Sequence, residues 1–177
     1  MAKVNERFTY DDPRFAPLRD ASRRATAAYQ NAARGLDTLK EWVLIKFGLT
    51  QTAEAIHRLA HEQPKRFDGI GDILHKRHLM QEYPETPEYT ERPADLDGVF
   101  GEIIRMLDEI ETALKDCVYE AENANLYPLA RAFENLQMQN SESYEKFLYA
   151  WQMYDVTDSS ATSYDNWIRG LFEGSED

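Results

Sequence analysis

The apolar positions along the chain recur at the spacing of helix faces. From about Arg34 to Gln63, Leu36, Leu39, Val43, Leu49 and Ala53 return at three- and four-residue steps, with Lys46 in phase, which predicts a long amphipathic helix. Gly48 falls inside it, at a cost of about 1 kcal/mol relative to alanine. Ile70, Ile73, Leu74 and Met80 mark a second helix from about Lys65 to Glu82. A third starts near Asp95, with Asp95 or Asp97 in its acidic first turn, and carries Val99, Ile103, Met106, Leu107, Ile110, Leu114 and Val118. A fourth spans about Leu126 to Tyr154, with Leu129, Phe133, Leu136, Phe147, Ala150, Trp151 and Tyr154 on one side. Pro128 is tolerated there because it lies in the first turn.

Prolines set the boundaries, because each removes a backbone donor and clashes with the preceding turn. Pro64 separates the first helix from the second, and Pro84, Pro87 and Pro93 interrupt the chain before the third. Asn123-Ala124-Asn125 turns the third helix into the fourth. The middle connection, at about a dozen residues, exceeds the 2–8 usual between bundle neighbours. Such a crossover lets the second and third helices run parallel. The expected architecture is all-α: a four-helix bundle over 34–154, preceded by an N-terminal extension over 1–33. Residues 14–33 of that extension form an additional helix. Residues 155–177 form a polar tail with a short helix at Tyr164–Phe172, where Trp167, Ile168, Leu171 and Phe172 share a face.

Charge narrows the partners. The 177 residues carry 20 Lys and Arg against 32 Asp and Glu, a net charge of −12. Residues 1–34 hold seven basic residues against four acids, a balance of +3, which leaves −15 for the remainder. An acidic body repels nucleic-acid phosphates, so DNA contact is expected only through residues 1–34, whose own acids weaken it. No apolar run approaches the roughly 18 residues that span a bilayer, and the N-terminus lacks the apolar core of a secretory signal. The single cysteine, Cys117, excludes an internal disulfide framework. It fits a reducing cytoplasm and is expected as packing in the third helix.

The histidines are clustered. All four, His57, His61, His75 and His78, lie within 22 positions. His57 and His61, four residues apart, share a helix face. At about 100° per residue, Asp68, Asp72, His75 and Glu82 fall within an arc of about 80° on the second helix. His78 stands at the edge of that arc, which lies opposite Ile70, Ile73, Leu74 and Met80. The polar stripe therefore faces away from the bundle core. Imidazole and carboxylate together suit iron, zinc or manganese, and Asp72-x-x-His75 has the carboxylate–histidine spacing of di-iron bundles, where the acid is a glutamate. A solvated face, or a metal-free contact between copies, is the competing reading. The fourth helix offers Glu134-Asn135-Leu136-Gln137 but no histidine, so a symmetric di-iron centre inside the bundle is not expected. Gln137, Asn140 and Tyr144 follow Phe133 at core-like spacing and mark either a buried polar network or a face toward water or a neighbour. The acids of the third helix read as a solvated face, with cation entry as the alternative. No phosphate loop or nucleophile elbow is present.

Two stretches carry a family resemblance. One is Ala55-Ile56-His57-Arg58-Leu59-Ala60-His61-Glu62-Gln63-Pro64-Lys65-Arg66-Phe67-Asp68 with Ile73-Leu74-His75. The other runs from Tyr119-Glu120-Ala121-Glu122-Asn123-Ala124-Asn125-Leu126-Tyr127-Pro128 to Phe147-Leu148-Tyr149-Ala150-Trp151. With the long middle connection, they resemble the ferritin-like superfamily over about residues 34–154, and within it the bacterial DNA-protecting mini-ferritins (the Dps group). The resemblance implies a cytoplasmic homo-oligomeric cage that takes up Fe(II), oxidises it with oxygen or peroxide as a ferroxidase and stores the iron. It implies metal ligands between subunits: His57 or His61 with Asp72, His75 and Asp68 or Glu82. His61 corresponds to the first-helix ligand, and either His75 or Asp72 to the second-helix one. A ferritin-like structural or interaction protein that has lost its metal centre is the alternative.

Overall fold

The computed structural model describes residues 12–156 and 160–173. A short 3-10 turn at Pro13–Phe15 leads into α1 (Ala16–Phe47), α2 (Thr50–His75), α3 (Leu96–Asn123), α4 (Tyr127–Val156) and α5 (Ala161–Glu173). Helices α1 to α4 form the bundle, with α1 packed on α2 and α3, and α4 on α3 and α2.

The first two helices sit earlier in the chain than the sequence pattern predicts. Asp12 starts the run by accepting from the Arg14 N–H at 3.0 Å. The buried stripe of α1 is continuous from Leu18, Ala21, Ala25 and Tyr29 to Leu36, Leu39 and Val43. Residues 14–33 are therefore the first part of α1 itself, and a boundary after residue 33 falls within a continuous helix. Much of this early stripe is alanine. Alanine packs helices closely but gives a weak hydrophobic period.

Gly48, expected within a helix, ends α1. It adopts φ 69° and donates to the Val43 and Leu44 carbonyls, a left-handed cap that glycine takes without steric cost. Pro64, expected as a boundary, lies inside α2. An interior proline costs about 3 kcal/mol or more. Buried Ile56 and Leu59 before it and Ile70 and Leu74 after it outweigh that cost, at about 1.5–3 kcal/mol for each large aliphatic side chain. The Gln63 side chain donates to the Leu59 carbonyl at 2.7 Å, one turn before the break. Helix α2 then stops at His75 rather than Glu82. His78 is left-handed at φ 58°, and the Leu79 N–H folds back onto the Leu74 carbonyl, burying Leu79.

The connection from α2 to α3 covers residues 76–95 and runs alongside α1. Gln81 donates to Thr26 Oγ1 at 3.0 Å and to the Phe67 carbonyl at 2.8 Å. Farther along, Arg34 donates to the Thr86 carbonyl, and Trp42 Nε1 to the Pro93 carbonyl. Rising residue numbers in the connection thus meet rising numbers in α1. Because α2 returns antiparallel to α1, the crossover brings α3 back parallel to α2. Asp95 caps α3 by accepting from the Gly98 N–H at 2.9 Å, and Pro128 stands in the first turn of α4.

The short C-terminal helix is present as α5. Its buried Asp165 accepts from the Gln51 and Thr52 N–H groups and from the Thr52 hydroxyl, at 2.7–3.0 Å. It supplies the carboxylate cap that Leu49, at the start of α2, cannot. The Tyr164 hydroxyl donates to the Ala150 carbonyl at 2.6 Å.

Candidate metal centre on the outer face

Because the hairpin turns at Gly48, Asp37 on α1 lies about as far before the turn as His57 and His61 lie after it. The antiparallel pairing therefore sets all three side by side. A ligand atom from each lies within 4.8 Å of the other two, the one such trio of His, Cys, Asp or Glu among the described residues. His57 Nδ1 stands 3.5 Å from an Asp37 carboxylate oxygen. That nitrogen is shielded from solvent and makes no hydrogen bond. The His57 and His61 rings meet edge to face, their centroids 4.3 Å apart. His57 is half-buried, while His61 and Asp37 are exposed.

Ligands at about 2.1 Å from a cation and at right angles to one another lie about 3 Å apart. The three ligand atoms lie within 4.8 Å of one another, and two of the side chains, Asp37 and His61, are exposed. Two imidazoles and one carboxylate with open positions form the donor set characteristic of non-haem Fe(II). Glu41 and Glu54 stand nearby and, with Asp37, raise the pKa of Lys40, chiefly through the Lys40–Glu41 hydrogen bond.

The remaining expected ligands do not join this trio. Asp68, Asp72 and His75 are exposed on α2, as the stripe requires. They lie on the same helix as His57 and His61, about two to five turns on, so no turn at Pro64 folds them back. Glu82 is not on α2 at all: it belongs to the crossover, with a carboxylate oxygen 4.0 Å from Arg23 Nε. His78 sits in the turn after α2. The residue missed by the sequence reading is Asp37. Its signal was the glycine cap: with the turn at Gly48 instead of Pro64, Asp37 falls opposite the two histidines.

The bundle interior does not fit a metal pair. Di-iron carboxylate bundles project a glutamate from each of two helices and Glu-x-x-His from the other two. Here the buried polar side chains of the bundle helices include Ser22, Thr26, Tyr29, Gln63 and Asn140, with Arg66 largely covered. Of Gln137, Asn140 and Tyr144, only Asn140 is fully buried, while Gln137 and Tyr144 are half-buried. The Gln137 and Asn140 side-chain amides both donate to Glu111, at 3.1 and 3.4 Å. Cys117 is buried, and its burial pushes the thiol well above the ordinary cysteine range.

In the described part of the N-terminal segment, three of the five arginines pair with carboxylates, while Arg19 and Arg34 donate to the Asp12 and Thr86 carbonyls. Arg14 bonds Asp12, Arg23 bonds Asp20, and Arg24 bonds Asp20 and Asp116. Among the described residues no helix is long and apolar enough to cross a membrane.

No protein-family model and no curated protein matches the chain. Solved structures do match. A ferritin from M. penetrans superposes with a TM-score of 0.78 at 11% identity, over 87% of this chain and 94% of that one. A mycobacterial bacterioferritin superposes with a TM-score of 0.74 at 14% identity, over 90% of this chain and 95% of that one. The chain has the ferritin-like fold.

Proposed function

We propose that this protein binds ferrous iron at Asp37, His57 and His61 and is a ferritin-like iron-handling protein. The observation that carries the reading is the unpartnered His57 Nδ1, set against Asp37 and beside His61. A shielded nitrogen without a hydrogen bond is costly, and coordination would relieve it. Iron is the substrate here. The two imidazoles and the carboxylate would bind it, and the open positions would admit water and an oxidant, oxygen or peroxide. Zinc or manganese would compete for the same donors.

The ferritin-like fold supports a homo-oligomeric assembly that sequesters the iron, and the single cysteine suits the cytoplasm. Asp68, Asp72 and His75, farther along the same exposed side of α2, form a path for cations toward or from the trio.

Aerobic Fe(II) titration of the purified protein, with elemental analysis after gel filtration, tests the proposal. Retained iron that disappears in His57→Ala/His61→Ala supports it. Iron uptake that the double variant leaves unchanged overturns the site. The second reading, an interaction protein on a metal-free ferritin-like scaffold, is favoured by the interior, where the described residues supply no inward carboxylate pairs. It predicts no retained metal and an assembly state unchanged by chelator.

A further inference from the structure

We infer that the middle of the bundle is a metal-free polar layer built to bind a buried water molecule. Four side chains define it: Tyr29 from α1, Gln63 and Arg66 from α2, and Asn140 from α4. Tyr29 and Gln63 are 0% exposed and Asn140 is 1% exposed. Each of the four has one polar atom shielded from solvent and without a hydrogen bond: Tyr29 Oη, Gln63 Oε1, Arg66 Nη1 and Asn140 Oδ1.

These residues share one level of the bundle. Arg66 Nη2 donates to Ser143 Oγ at 2.9 Å, and Ser143 lies three residues beyond Asn140, on the same face of α4. Gln63 lies three residues before Arg66 on the matching face of α2. Arg24, five residues before Tyr29 on α1, pairs with Asp116, five residues after Glu111 on the antiparallel α3, which sets Tyr29 level with Glu111. Glu111 in turn accepts from Asn140.

Hydrogen-bond chemistry then fixes the kind of ligand. The Gln63 amide nitrogen is committed to the Leu59 carbonyl and that of Asn140 to the Leu107 carbonyl. Their oxygens remain as acceptors. Arg66 Nη1 and the Tyr29 hydroxyl remain as donors. Two donors and two acceptors are the complement of one water molecule, and buried waters commonly hold two to four such bonds. A divalent cation meets the opposite conditions. It would lie beside a fixed guanidinium charge, and the nearest carboxylate, Glu111, is half-buried and already bonded to Gln137 and Asn140. Arg66 thus supplies the layer's positive charge, balanced at its outer end by Glu62 at 2.7 Å.

The test is a high-resolution crystal structure of the whole protein soaked in Fe(II) or Zn(II), with anomalous difference maps. The expected result is non-anomalous density within hydrogen-bond distance of at least three of the four atoms, and no anomalous peak in the bundle. Anomalous density in the layer overturns the inference. So does a layer without such density, its four groups bonded directly to one another. In solution, His57→Ala/His61→Ala should retain no metal after gel filtration, and metal that is retained by this variant but lost on adding Glu111→Gln would equally overturn it. The anomalous peak at Asp37, His57 and His61 is read separately, so the outer site can fail while the inner inference stands.

Discussion

Helix α2 carries a polar cluster on each side, and the two are built on opposite terms. Outward, His57 and His61 meet Asp37, with their ligand atoms close but not bonded to one another. Inward, Gln63 and Arg66 meet Tyr29 and Asn140, with amide nitrogens tied to backbone carbonyls and the guanidinium tied to Glu62 and Ser143. Solvent explains the difference. Asp37 and His61 are exposed and solvated while no cation is bound, and only the His57 Nδ1 is shielded without a partner. A buried group must be neutral, or paired and hydrogen-bonded. The inner cluster is therefore invested in structure and the outer one is free for binding.

Substitutions should separate the two. Tyr29→Ala removes a fully buried ring, and thermal or urea unfolding should show a loss of about 3–5 kcal/mol; a loss below 1 kcal/mol would mean that the layer is not part of the core. His61→Ala should weaken Fe(II) or Co(II) affinity by more than the tenfold to hundredfold typical of changes behind a ligand, while the melting temperature stays near wild type. A large stability loss without an affinity change would reverse the assignment. Acidification should weaken metal binding in the same assay, because imidazole must be unprotonated to ligate.

Between these extremes lies α5. Asp165→Ala takes three hydrogen bonds from the start of α2 and should cost about 2 kcal/mol, read as earlier loss of protection in hydrogen exchange at Gln51 and Thr52. The smallest effect is at Asp12. Arg14 holds its carboxyl down at about 2 from the ordinary 3.8, first through the side-chain hydrogen bond. A depressed carboxylate favours the folded state above its ordinary value and loses that contribution as pH falls through the folded value. A carboxyl titration by NMR should therefore show a midpoint near 2 that returns to the ordinary range in Arg14→Ala.

Much of the fold was legible because its signals are local. The apolar stripes of α3 and α4, the Asp95 cap and the long crossover are written in spacing, and spacing is enough for helices. The outward direction of Asp68, Asp72 and His75 follows from the same arithmetic. What failed was the ranking of two breakers. Pro64 carries the larger intrinsic penalty and Gly48 the smaller, yet the chain turns at Gly48 and runs through Pro64. Local propensity cannot weigh a proline's cost against buried Leu59, Ala60, Ile70 and Leu74, since that burial exists only when α1 is in place.

The same shift explains the site. Composition and the i, i+4 spacing of His57 and His61 were fixed by the sequence, and with them the presence of a potential metal-binding pair on one helix face. The third member, Asp37, came from tertiary structure alone, because it lies 20 residues before His57 and reaches it only through the register of the α1–α2 hairpin. Likewise Tyr29, Arg66 and Asn140 are unrelated along the chain. Only the packing of α1, α2 and α4 makes them one layer, where burial sets what each polar group can do.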